Sequence, residues 1–145
     1  MVLEDNLNRL AISVLDYEES GAANRSDRNT LLTSIELACD GKSSIVTAPV
    51  ISTHELSALA NWFEQLAAGR RAEPVVLEEP CLFFDCSERT NDSFRVAVRM
   101  EAEASPTWTK YYAEPFEMDF RLTHQQMIET ARSLRRLHLN YPTQS

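Results

Sequence analysis

The sequence predicts one α+β domain over residues 1–145, built from an antiparallel sheet of about six to seven strands, open to strong curvature, and two amphipathic helices. Three observations lead there. Apolar residues alternate with polar ones over several short stretches joined by turn signals. Two other stretches carry apolar residues at helical spacing behind a capping box. Strands outnumber helices and adjoin one another, which favours an antiparallel arrangement over a doubly wound sheet.

Asn8 to Tyr17 reads as a strand, Leu10, Ile12 and Val14 alternating with Ala11, Ser13 and Leu15. The polar stretch from Glu18 to Arg28, with Gly21, Asn24, Ser26 and Asp27, is expected to be a mobile loop. Leu31 to Ala38 alternates again through Leu31, Thr33, Ile35 and Leu37. Asp40-Gly41 is the strongest hairpin signal, because a type I′ turn needs positive φ at both central residues. The return strand is expected over Lys42 to Ala48, ended by Pro49.

Ser52 and Glu55 form a capping box ahead of the first helix, with Thr53 as a rival cap. Leu56, Leu59, Ala60, Phe63, Leu66 and Ala67 share one face. Gly69 supplies the stop, and Arg70 and Arg71 follow beside the negative end of the helix dipole.

Beyond Pro74, Val75 to Leu77 is a short strand. Cys81 to Cys86 is another, with Leu82 and Phe84 on one side and Phe83 on the other, followed by a turn at Asn91-Asp92. Phe94, Val96, Val98, Met100 and Ala102 alternate with Arg95, Ala97, Arg99, Glu101 and Glu103, the pattern of a half-buried strand with a wet outer face. A loop from Pro106 to Glu114 carries Trp108, Tyr111 and Tyr112. Phe116, Met118, Phe120 and Leu122 then alternate with Glu117, Asp119 and Arg121. The last helix opens with a second capping box, Thr123 to Gln126, runs on a stripe of Met127, Ala131, Leu134 and Leu137, and ends at Tyr141-Pro142. The predicted order is three strands, a helix, four strands and a helix, with no internal repeat in the sequence.

The net charge of −8, from 22 acidic and 14 basic residues, disfavours nucleic acid and anionic membranes, which need a basic footprint. It suits a basic protein partner. Cys39, Cys81 and Cys86 form an odd set without a metal or redox spacing, as in a reducing compartment. The first residues lack the pattern of a signal peptide, and no apolar run approaches the roughly 20 residues that span a bilayer. The expected location is cytoplasmic.

No motif of a nucleotide site, metal site or nucleophilic catalyst is present, so no catalytic, cofactor-binding or metal-ligating residue is assigned and no cofactor is expected. His54 and His124 follow helix-capping residues, which accounts for them. Glu101 with Glu103, and Glu117 with Asp119, are carboxylate pairs of the kind used in acid/base chemistry. Arg95, Arg99 and Arg121 share their outward faces, however, so cross-strand ion pairs on a wet sheet explain them more simply. An enzymatic reading requires Glu101 and Glu117 to be buried together.

Several stretches carry a family likeness. They are Asp27-Arg28-Asn29 followed by Leu31-Leu32 and Ile35-Glu36, then Thr53-x-Glu55-Leu56-x-x-Leu59-x-x-Trp62-Phe63-x-x-Leu66-x-x-Gly69. Later come Phe116-x-Met118-x-Phe120-x-Leu122-Thr123, Ala131-x-Ser133-Leu134 and Tyr141-Pro142. Together they resemble the WapI-type bacterial immunity proteins, although Thr30 stands where that pattern often has Trp. The resemblance implies a small, non-enzymatic α+β protein that neutralises a secreted toxin.

On that reading the partner is a basic toxin domain, and an acidic surface masks its active site. The candidate contacts are Asp16, Glu18, Glu19, Glu101, Glu103, Glu117 and Asp119, with Trp108 and Tyr111 as aromatic anchors. The alternative is a small-ligand-binding or structural domain, with a pocket between sheet and helix lined by Phe94, Val96, Phe116, Met118 and Phe120. Exposed edge strands allow either a monomer or a homodimer.

Overall fold

A computed structural model describes residues 1–18, 28–109 and 114–144. Strands β1 (Val2–Glu4), β2 (Asn8–Tyr17), β3 (Thr30–Cys39) and β4 (Lys42–Ser52) lead into helix α1 (Thr53–Ala67). Strands β5 (Val75–Val76), β6 (Leu82–Arg89), β7 (Ser93–Met100) and β8 (Phe116–Thr123) lead into helix α2 (His124–Asn140), with a 3₁₀ turn at Ala102–Ala104 between β7 and β8. The α+β class and both helices are as expected from the sequence. The strands, however, form two four-stranded antiparallel meanders, β1-β2-β3-β4 and β5-β6-β7-β8, and not one sheet. Most of the loop expected over 18–28 lies outside the described residues, as do Tyr111 and Tyr112 of the second loop.

Alternation decides the faces. Leu10 and Ile12 of β2, Ile35 and Leu37 of β3, Phe84 of β6, Val96 and Val98 of β7 and Phe120 of β8 all turn inward. They meet Leu59 and Phe63 of α1 and Met127 and Leu134 of α2 in one continuous core. Ala97 is buried too, so the outer face of β7 is drier at its centre than the alternation suggested.

The Asp40-Gly41 hairpin has the predicted geometry, with φ of 51° and 74° at its central residues. Pro49 does not end β4. Leu31 pairs with Ile51 and Thr33 with Ala48, so Pro49 and Val50 oppose Leu32 alone in a bulge. A bulge on an edge strand tolerates a residue without an N–H, and the buried Val50 and Ile51 repay the strand for continuing. The short β1 escaped the sequence reading because three residues carry no period, although Leu3 is fully buried.

Both helices start on the last residue of the preceding strand. In α1 the N–H of Ser52 donates to Glu55 Oε1 at 2.9 Å. In α2 the box closes both ways, Thr123 N–H to Gln126 Oε1 at 2.8 Å and Gln126 N–H to Thr123 Oγ1 at 3.1 Å. Gly69, with φ of 81°, ends α1 in a Schellman motif: its N–H reaches Leu66 O, and the N–H of Arg70 reaches Gln65 O. The helices lie antiparallel, since Arg135 of α2 reaches Ser57 and Glu64 of α1 while His124 sits on the carbonyl of Ala67. That carbonyl only accepts, so His124 Nε2 carries the proton there.

The chain thus repeats one plan, a four-stranded meander ending directly in a capped helix. No repeat in residue identity announces it. The two halves meet where β1 approaches the open edge of β8. There the bonds come from side chains: Asn8 Nδ2 donates to Asp119 O, Gln126 Nε2 donates to Glu4 O, and Asp5 Oδ2 accepts from the N–H of Arg121.

Candidate partner-binding surface

Glu103 and Glu117 are two of the exposed carboxylates at the second sheet and its β7–β8 connection, and pairing separates them from Glu101 and Asp119. Asp119 on β8 takes two N–H groups of Arg95 on one oxygen, at 2.8 and 3.1 Å, and the same guanidinium lies 3.6 Å from Glu88. Glu101 lies 3.1 Å from Arg99, whose guanidinium stacks 4.2 Å above the Phe83 ring. Glu103 and Glu117 are exposed and make no ion pair among the described residues. Arg99 sits opposite Glu117 across the ladder but is turned towards Glu101.

A further carboxylate joins them. Burial pushes the Cys81 thiol up, the backbone N–H groups of Glu103 and Ala104 oppose the rise, and the charges of Glu103 and Glu79 add to it. The N–H of Glu101 donates to the Cys81 carbonyl at 2.9 Å, which brings together the segments that carry Glu79 and Glu103. The thiol therefore stays protonated at neutral pH and is a poor nucleophile. Glu79 was absent from the sequence-level candidates. Its signal was the acidic doublet Glu78-Glu79 ahead of Pro80, which only the fold brings beside Glu103.

Trp108 borders this group with a half-buried ring. It meets Phe116 edge-on, centroids 5.6 Å apart and planes at 85°, while the Lys42 ammonium stands 5.9 Å from its centre. Phe116 pairs with Met100 in the ladder, one residue before Glu101, so the aromatic pair and the acidic group share one end of the sheet. The N–H of Thr107 donates to Ser44 Oγ at 2.9 Å and anchors the connection to β4. Trp108 therefore covers the sheet end and still presents part of its ring.

The remaining candidates do not gather here. Asp16 and Glu18 are exposed at the far end of β2, roughly 25 Å along the strand from the Cys39–Lys42 turn at 3.3 Å per residue. Glu19 and Tyr111 lie outside the described residues. Phe94, Val96, Met118 and Phe120 are buried in the core, and Phe116 packs on Trp108, so these five fill space instead of lining a pocket. An open groove of about 670 Å³ lies elsewhere, at the seam, between Asp5, Leu7, Ser93, Arg121 and Gln126. Glu117 is exposed and Glu101 is ion-paired and only partly covered, so the buried carboxylate pair that acid/base catalysis would require is not formed by them. Among the described residues no group of His, Cys, Asp and Glu is arranged to hold a metal ion, and no helix is long and apolar enough to cross a membrane.

The sequence model of the Immunity protein WapI-like family matches residues 1–142. The chain belongs to the WapI-like immunity protein family. The match takes in both meanders and both helices, so it rests on more than one helix pattern. No curated protein matches this WapI-like chain. Within a WapI-like immunity protein, the acidic group beside Trp108 is a surface feature to be weighed against a partner.

Proposed function

We propose that this protein neutralises the toxic domain of a secreted bacterial toxin by binding over its active site in the cytoplasm, without catalysing a reaction. The observation that carries this reading is the family match over residues 1–142. The net charge of −8 supports a basic partner, since acidic carboxylates can occupy the positions of substrate phosphates and steer association. Glu79, Glu103 and Glu117 are the exposed carboxylates best placed for this, because Asp119 and Glu101 are already spent on Arg95 and Arg99. Trp108 supplies an apolar anchor at the edge of the same group.

The test is co-expression with the toxin domain encoded beside this protein's gene. Growth is restored only when both are made, and the purified proteins form a stoichiometric complex by calorimetry. Continued killing in the presence of folded protein, together with no complex at micromolar concentrations, would overturn the proposal.

A further inference from the structure

Beyond the end of α2 the chain does not trail into solvent. Residues 141–144 pass over three other elements, and each makes a polar contact. Tyr141 Oη reaches the carbonyl of Leu15 at 3.4 Å, and its ring meets Tyr17 edge-on at 5.7 Å. Tyr17 Oη donates to the carbonyl of Pro142 at 2.7 Å. The hydroxyls of Thr143 and Thr53 lie 3.0 Å apart. Gln144 is held at both main-chain groups: its N–H donates to Asn29 Oδ1 at 2.7 Å, and its carbonyl accepts from Asn29 Nδ2 at 3.1 Å.

The receiving side is built for this. A carboxamide presents a donor and an acceptor as a peptide group does, so Asn29 reads the backbone of Gln144 as a neighbouring strand would. With the segment in place Asn29 is 5% exposed and Thr53 fully buried, so the bonds of Gln144 and Thr143 are made out of water. Asn29 is itself fixed, its carbonyl accepting from the N–H of Thr53 at 2.8 Å. Pro142 restricts the backbone of the incoming segment before it binds.

We propose that residues 141–144 are a clasp, a peptide bound in cis in a groove formed by Tyr17, Asn29 and Thr53, and that the emptied groove accepts the same peptide in trans. The clasp joins the end of β2, the approach to β3, the first residue of α1 and the end of α2. It thereby holds the strand end that carries Asp16 and Glu18, independently of any partner.

Two chains test it, one truncated after Asn140 and one carrying Gln144→Pro, which removes the N–H donated to Asn29, restricts Thr143 and changes no residue outside the segment. Hydrogen exchange is read at the amides of Tyr17, Glu18 and Thr53. Gln144→Pro is expected to exchange there about fivefold faster than the full chain, and the truncated chain faster still, because each lost bond makes local opening easier. A synthetic Tyr-Pro-Thr-Gln-Ser peptide at millimolar concentration is expected to restore protection to the truncated chain. Unchanged exchange in both chains would overturn the clasp, and a truncated chain that exchanges faster but ignores the peptide would overturn the groove. If the truncated chain fails to fold, Gln144→Pro decides the clasp, and the peptide is then titrated against Gln144→Pro for the groove.

Discussion

Asp5 and Arg121 are 116 residues apart in sequence and are joined by one 2.9 Å bond, from the main-chain N–H of Arg121 to Oδ2 of Asp5. The other carboxylate oxygen accepts from the N–H groups of Leu7 and Asn8, both at 2.9 Å. One side chain thus shapes the β1–β2 turn and fastens it to the open edge of β8. Burial by itself would raise this carboxyl, but the three N–H groups and the Arg121 charge outweigh it and hold it below the usual carboxylate range.

Replacing Asp5 with Ala is therefore expected to cost about 1.5–3 kcal/mol in urea unfolding, the range for hydrogen bonds to a charged acceptor. The pH dependence has a definite sign. A carboxyl lowered on folding stabilises the protein fully above its unfolded value of 3.8, and that stability is lost as pH falls through the lower folded value. The stability gap between the wild type and Asp5→Asn should stay constant from pH 7 to pH 5 and close below pH 3.8.

Trp62 is 4% exposed, donates Nε1–H to the carbonyl of Glu73 at 2.8 Å and meets the rings of Phe63 and Phe84 edge-on. Trp62→Ala should cost about 3–5 kcal/mol by calorimetry, the usual result of emptying a large core site. Trp62→Phe should cost less and leave the Glu73 carbonyl without its donor.

At Gly41 an added Cβ would meet nothing within 4 Å, so a substitution there tests backbone conformation alone. Gly41→Ala should cost about 1–2 kcal/mol, the penalty of the left-handed conformation for a residue with a side chain. Equilibrium unfolding measures it, and an unchanged midpoint would contradict the positive φ.

Glu103→Gln with Glu117→Gln should change the unfolding free energy by no more than about 0.5 kcal/mol, because neither carboxylate is ion-paired among the described residues. Stopped-flow association with the toxin domain should slow at least about tenfold at low salt, and the difference should shrink as salt is added. Asp119→Lys should instead lower stability, since it sets a cation against Arg95.

Much of the fold was legible before any coordinates. The limits of β2, the Asp40-Gly41 turn and both capping boxes follow from residues within one pleat or one helical turn of each other. Pro49 misled the reading because a proline normally ends a strand, and only the offset register of β3 against β4 shows the bulge that absorbs it. The candidate surface was half legible. Alternation placed Glu117 and Asp119 on one face of β8, but it carried Glu101 and Glu103 on as a strand where β7 ends at Met100 and Glu103 enters the 3₁₀ turn, and it says nothing about which carboxylate a neighbouring arginine has taken.

What the sequence alone determined is the local alphabet: which stretches are strands, which are helices, where they start, and the absence of a motif for catalysis. These depend on periods of two and 3.6 residues and on cap chemistry, all written over short spans. The tertiary structure decided the division into two meanders, the seam held by Asp5 and Asn8, the clasp of Asn29 on Gln144 and the freedom of Glu103 and Glu117. Each of those depends on single contacts between residues far apart along the chain or on the turn of one side chain, and neither leaves a period in the sequence to read.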